Sequence, residues 1–412
     1  MGNIEPVKGN MKNKLWFIFI IVYLLIDYGR IHAILSLEFM RPAMVVIIIL
    51  AGFILAKGGL SLAWNRQMKM VWLFILLLAA YIPFAVNTFY AYHTARAMLL
   101  YMPFIISVIV CIDNMDRLRK IVLICVCIMI FISVYAITHK GMGPGNYFLD
   151  ENDLSLYVNM WLPFCYFLFF TEKEKFKKVI YGIGMVLGLG AVVISFSRGG
   201  FVGLVAMLAV VWFVSPRKIL SLAVVSVIVI GMLAFGSDEY WAEMSTVTDM
   251  SESTADQRLD SWRAGWSMFL SHPLGVGGNN FPVWFPEYQP PGMSRGMWGR
   301  VAHSIWFTLI PETGVVGIWL YFTLLFYNIR ELFFLKNLVN QRGDEDARYL
   351  HGFALACLAS LAGYFASGTF LSVLYYPHYW YLTAFIVAAV MISQKMMAND
   401  RDQSGIMLQD KT

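Results

Sequence analysis

Apolar residues come in long blocks along this chain, separated by short polar connections, from Leu15 almost to the C-terminus. A bilayer-crossing helix needs about 20 apolar residues, within a range of roughly 17 to 25. The blocks predict spans at Leu15–Ile26, Arg41–Ala56, Met70–Val86, Ala97–Ile112, Ile121–Thr138, Leu154–Phe170, Val179–Phe196, Gly200–Val214, Ile219–Phe235, Ser304–Tyr327, Gly352–Gly368 and Trp380–Ser393. Several are short and must borrow flanking residues. The alternating pattern of a lipid-facing β-strand is absent, so helices are the expected spanners. The expected fold is an all-α polytopic membrane protein with about 12 transmembrane helices. It forms one membrane domain over 1–412, with one long outer loop at 236–303 that contains short helices and an inner tail at 395–412.

Composition agrees. Of 412 residues, 59% are hydrophobic and 14% charged, with mean hydropathy +0.64. Soluble domains carry about 25% charged residues. The polar, basic start, Met1 to Lys14, precedes an apolar run without a small-residue cleavage site, so it reads as a cytoplasmic tail entering the first span. The five cysteines all lie inside apolar runs, which argues for small buried hydrophobes rather than a disulfide framework or a zinc site.

Most of the 31 Lys and Arg residues fall in alternate loops, which places both termini inside. The exceptions are Arg30, Arg41, Arg96, Lys140, Arg198, Arg258, Arg263, Arg295 and Arg300. All but Lys140 are arginines, and the guanidinium fork suits phosphate or carboxylate. The inner basic residues form short clusters that topology explains, so nucleic acid is not an expected partner.

Within the outer loop, Thr254 and Gln257 are spaced like a capping box. Leu259, Trp262, Trp266 and Phe269 then recur at helical spacing until His272-Pro273, predicting an amphipathic helix at 255–271 near the membrane surface, its aromatic stripe used for packing. The run Gly275-Val276-Gly277-Gly278-Asn279-Asn280 has two readings: a flexible turn, or backbone amides that cradle a phosphate. Acids outnumber bases in this loop, so any anion site must be local. Spans carry few charges. Glu312 is mid-helix after Pro311, while Arg96 and Arg198 sit at outer edges; such residues are expensive in lipid and mark function or specific pairing.

His303-Ser304, nine further residues, then Gly314-Val315-Val316-Gly317 resembles the signature of the bacterial O-antigen ligase and O-antigen polymerase superfamily. Ser197-Arg198-Gly199-Gly200 is similar to that family's arginine at the top of a central span. Arg258-Leu259-Asp260-Ser261-Trp262, running into His272-Pro273-Leu274-Gly275-Val276-Gly277, resembles the arginine-bearing helix and turn of its periplasmic loop. Asp150-Glu151-Asn152-Asp153-Leu154 resembles a further recurring segment. The likeness covers about 150–327.

The resemblance implies a metal-independent, cofactor-free membrane glycosyltransferase of the bacterial inner membrane with its site facing the periplasm. Its donor would be an undecaprenyl diphosphate-linked glycan. Its acceptor would be lipid A-core for a ligase, or a second carrier-linked repeat unit for a polymerase. The residues suit that chemistry: an imidazole can accept the proton of a sugar hydroxyl, and arginines can hold a departing diphosphate. His303 is the expected base, and Arg198 and Arg258 the expected diphosphate ligands. Glu312, Ser304, Asn279 and Arg96 are possible supporting residues, and Gly314 and Gly317 are expected to permit close helix packing. On an unbroken helix Glu312 would lie about 13 Å deeper than His303 and on the opposite face, where an arginine from another span is one expected partner. A lipid-linked glycan transporter is a different reading. It requires a polar site near the midplane, for which Glu312 is the sole candidate.

Overall fold

The computed structural model describes residues 11–409 apart from 149, 216, 220–221, 224–225, 227–252 and 292–297. Among the described residues every regular element is helical. Besides two short 3-10 helices at Glu38–Met40 and Asn146–Phe148, these are in chain order α1 (Met11–Asp27), α2 (Ile31–Ile34), α3 (Pro42–Lys57), α4 (Gly59–Leu62), α5 (Arg66–Tyr81), α6 (Thr88–Cys111), α7 (Met115–Thr138), α8 (Glu151–Thr171), α9 (Lys175–Ile194) and α10 (Arg198–Val214). They continue as α11 (Ser253–Ser271), α12 (Phe281–Tyr288), α13 (Ile305–Asn337), α14 (Val339–Arg342), α15 (Glu345–Gly368) and α16 (Pro377–Gln409).

Among the described residues, eight helices are long and apolar enough to cross a membrane. That is fewer than the sequence pattern suggests, for physical reasons. Helix α10 is apolar but only 17 residues long, and α1 and α5 have 17 and 16 residues. The expected span Ile219–Phe235 falls largely outside the described residues, as do 236–252 of the expected outer loop. Helix α6 begins at Thr88, nine residues before the apolar run that announced it, and α16 continues through the expected tail to Gln409.

Side-chain caps set many of the starts. Asn65, Asn87, Asn114, Asp150, Ser197, Ser304 and Asp344 each accept a hydrogen bond from an amide in the following turn. At α3 the stop is Gly58, in the left-handed region at φ 63°.

Helix α8 is the most buried span and packs chiefly on α15 and α9, while α10 packs chiefly on α15. The contact is close because glycines line it. A Cβ on Gly203 would sit 1.8 Å from Ser367 Oγ and 3.0 Å from the Gly363 carbonyl oxygen. Lipid supplies no hydrophobic drive between helices, so small residues and interhelical hydrogen bonds hold them. Asn159 Nδ2 donates to the Gly200 carbonyl at 2.8 Å, and the Ser155 and Ser195 hydroxyls meet at 2.7 Å. Ser197 Oγ donates to Asn152 Oδ1 at 2.7 Å, so the N-termini of α8 and α10 are tied together.

At the far end of α8, Arg119 pairs with Glu345 and Asp346 at 3.1 and 2.8 Å, and Lys173 reaches Glu345 at 2.6 Å. The Lys/Arg-rich connections therefore gather at the end opposite Arg198.

Gly203→Val tests the close contact. The added branch should lower the stability of the detergent-solubilised protein by about 1–3 kcal/mol, read as an earlier thermal unfolding transition. An unchanged transition would show that α10 and α15 have room to part.

Candidate active site

The outer loop is built into the membrane domain through a break in α13. Gly314 has φ 60° and ψ −166° inside that 33-residue element, which splits it. The groups freed there find partners in 273–277. Val276 N donates to the Pro311 carbonyl at 3.0 Å, Gly277 N to the Glu312 carbonyl at 2.9 Å, and Val315 N to the Pro273 carbonyl at 2.9 Å. Tyr81 Oη donates to the Thr313 carbonyl at 3.0 Å and also contacts the Leu274 carbonyl. Backbone at membrane depth survives only with such satisfaction. The approach demands glycine: a Cβ on Gly314 would lie 2.2 Å from the Leu274 carbonyl carbon.

Glu312 completes this junction. It is 1% exposed, and its carboxylate accepts from Asn279 N at 2.8 Å, from Phe281 N at 3.1 Å and from Tyr375 Oη at 2.7 Å. Its partners are thus two loop amides and a tyrosine, in place of the arginine considered from sequence. The amides of Val276, Gly277 and Asn279 are consumed by Pro311 and Glu312, which corrects the phosphate-cradle reading of the glycine run. Asn279 Nδ2 donates to Thr94 Oγ1 at 2.8 Å, bracing the same loop against α6.

Helix α11 lies over this junction. It runs from Ser253, close to the expected 255–271, and buries Ser261, Ala264, Gly265 and Met268. Ala264 and Met268 share a small core with Val276, Phe281, Phe285 and Ala302. Trp262 stacks on Phe307 at 5.3 Å and donates from Nε1 to the Ala302 carbonyl at 3.1 Å, whereas Trp266 is exposed. The buried stripe therefore mixes small residues with a single packed Trp. The Gln257 side chain accepts from Arg300 Nη1 at 2.9 Å, a different use from the capping box.

These contacts fix the residues on either side of His303. Ser304 is fully buried and caps α13 by accepting from Phe307 N. Arg300 Nε donates to Ser261 Oγ at 3.1 Å. Between them His303 takes a left-handed backbone, φ 44°, which is rare for a non-glycine residue and often found at functional sites. It stands outside the helix, so a regular helical projection from His303 to Glu312 does not apply.

His303, Arg198, Arg258 and Arg300 are each half-buried, and Asp150 is exposed. Burial, then the charges of Arg300 and Arg258, push the His303 imidazole below its ordinary range; Asp150 pulls the other way. Burial and the charge of Arg198 lower Arg258, again against Asp150. Burial and Arg258 lower Arg300. Three guanidinium groups and one imidazole thus share one electrostatic neighbourhood with a single named carboxylate. Cations crowded in this way favour an anion, and the N-terminus of α10, where Arg198 stands, adds its dipole.

Residues 183–322 match the family model described as O-antigen ligase. Over this segment the chain is similar to O-antigen ligases. The matched segment holds Arg198, Arg258, Arg300, His303, Glu312 and Gly314. No curated protein matches the sequence. Members of the O-antigen ligase and polymerase superfamily are membrane ligases and polymerases of lipid-linked glycans.

Two neighbours of the superfamily motifs were not singled out from sequence. Arg300 was counted only as an outer cation, although it stands three residues before His303. Asp150 was noted only as part of a segment. Arg96 is exposed on α6 and is not among the charges acting on His303 or Arg258. Gly317 packs against its own helix, where a Cβ would meet Thr313 Oγ1 at 2.0 Å, and Gly314 makes the break. Among the described residues no three His, Cys, Asp or Glu side chains group as metal ligands.

Glu312→Gln removes one acceptor oxygen from a site that has three donors. The expected result is faster proteolysis of 273–291 in the folded, detergent-solubilised protein, with the helical circular dichroism signal retained. Equal protection in the variant would show that the backbone pairing alone holds the loop.

Proposed function

We propose that this protein is a member of the O-antigen ligase and polymerase superfamily and transfers a glycan from undecaprenyl diphosphate to a sugar hydroxyl of an acceptor, lipid A-core in the ligase reading, at the periplasmic face. The supporting observation is the half-buried His303 beside Arg258 and Arg300, within the segment that matches the O-antigen ligase family.

His303 is the base. Its lowered pKa favours the neutral imidazole, the form able to accept a proton. The acceptor oxygen forms a bond to the anomeric carbon as its proton passes to His303. The bond from that carbon to the phosphate oxygen breaks, and the diphosphate leaves with the electron pair. Attack from the side opposite the leaving group inverts the anomeric centre. Arg198 and Arg258 hold the diphosphate through charge-assisted forks and stabilise the charge that grows on it. The reaction needs no metal or cofactor in this scheme. Arg300 tunes the base: its charge favours the neutral form of His303, while its Nε and Nη1 are tied to α11.

The decisive experiment is transfer in vitro from a defined carrier-linked glycan, with lipid A-core and a second carrier-linked unit as separate acceptors. His303→Ala should lose transfer by about 100-fold or more, the usual scale for a general base, at unchanged expression. Wild-type turnover in that variant would remove the base role. Arg258→Lys keeps charge without the fork and should lose most transfer; full activity would remove the diphosphate role.

The pH profile tests Arg300. In the wild type kcat/KM should hold as pH falls below the ordinary histidine range, and drop only as pH passes through the lowered pKa. Arg300→Gln removes a positive charge, so the pKa of His303 rises and the acid limb moves to higher pH. A limb that stays in place would show that Arg300 acts on the protein's structure alone.

A further inference from the structure

The end of the molecule opposite His303 contains a cavity of about 720 Å³ among α8, α9, α10 and α15. That lies within the usual size of ligand pockets, about 300–1,000 Å³. Its walls combine aromatic residues such as Phe170 with Lys178, Arg217, Arg348 and His351. Among the described residues, none of Lys178, Arg217 and Arg348 makes a direct ion pair. The Arg217 guanidinium lies over the Phe170 ring at 4.9 Å. A guanidinium stacked on a ring still has its in-plane donors for a phosphate.

A second observation is independent of the cations. Glu172 also lines the cavity and is 5% exposed. Its Oε1 accepts from Lys173 N at 2.8 Å and Glu174 N at 3.1 Å, but its Oε2 is buried without a hydrogen-bond partner. Buried carboxylate oxygens are rarely left so, because each lost partner is costly. The cavity therefore offers cations for an anion and one acceptor for a donor. It stands where the Lys/Arg-rich connections collect, the cytoplasmic end by the positive-inside rule, and basic pockets between helices on that side suit lipid phosphates.

We propose that this cavity binds the headgroup of a glycerophospholipid of the cytoplasmic leaflet. Its phosphate is held by Lys178, Arg217 and Arg348, and a hydroxyl or ammonium group on the headgroup donates to Glu172 Oε2. The aromatic wall takes the start of an acyl chain. The site is separate from the transfer chemistry, and its test reads lipid rather than glycan.

The test uses the full-length protein, delipidated in detergent, with phosphatidylglycerol, phosphatidylethanolamine, phosphatidylcholine and inorganic phosphate as probes. Native mass spectrometry and thermal unfolding are the readouts. Phosphatidylglycerol and phosphatidylethanolamine should bind about tenfold more tightly than phosphatidylcholine, whose headgroup carries no donor for Glu172. Lys178→Gln combined with Arg217→Gln should weaken phosphatidylglycerol about tenfold or more, and Arg348→Gln alone should weaken it measurably if the double variant does not fold. Glu172→Gln should erase the preference over phosphatidylcholine. The proposal is overturned if phosphatidylcholine binds equally well, if the charge variants retain the lipid, or if inorganic phosphate alone gives the same stabilisation.

Discussion

A helix cannot be interrupted in a membrane unless the amides and carbonyls it releases find partners, and the break at Gly314 is where this protein meets that condition. The partners come from 273–277, and Glu312 adds a carboxylate that gathers two more amides and the Tyr375 hydroxyl. The loop is thereby part of the membrane domain's backbone pairing. Helices α11 and α12 share a core with Val276 and Ala302 above this junction. The positions of Arg258 and Arg300 beside His303 follow from that seating. A charge in the middle of a span looks like machinery for transport or catalysis; here its hydrogen bonds explain it as the clasp between span and loop.

Crowding arginines around a histidine has two effects that reinforce each other. It shifts the imidazole toward its neutral form, which a base requires, and it creates an excess of positive charge. In the proposed mechanism the donor's diphosphate relieves that excess. An anion arriving among Arg198 and Arg258 also offsets the charges that depress His303. The base is therefore weakest in the empty site and gains strength when the leaving group is in place. Asp150 acts in the same direction from the start of α8, which the Ser197–Asn152 hydrogen bond ties to α10.

Much of this was legible in the sequence, and the parts that were not have identifiable causes. Hydropathy marks apolar length, so it found α7, α8 and α15, but it started α6 late because Thr88–Arg96 is polar enough to look like a loop. The His303-Ser304 and Gly314-Gly317 spacing pointed to the family and to the helix start. It could not reveal that Gly314 breaks the helix, because a glycine required for φ 60° and one required for helix packing look identical in a string. The glycine run at 275–278 was ambiguous for a related reason: composition reports that amides are accessible, not which acceptors will take them. Arg300 escaped notice since its importance depends on α11 folding back so that Gln257 and Ser261 can hold it.

The same limit applies at the other face. Lys178, Arg217 and Arg348 are ordinary positive-inside residues when counted along the chain, and topology gives each a sufficient reason to exist. Topology asks only that a cation be near the end of a span. It does not ask that three of them, from α9, the connection after α10 and α15, line one cavity with no direct ion pair among the described residues, or that a buried acceptor stand among them. A rule satisfied by position along the chain leaves the convergence in space unexplained. That convergence is what makes a specific lipid the more economical account of these charges.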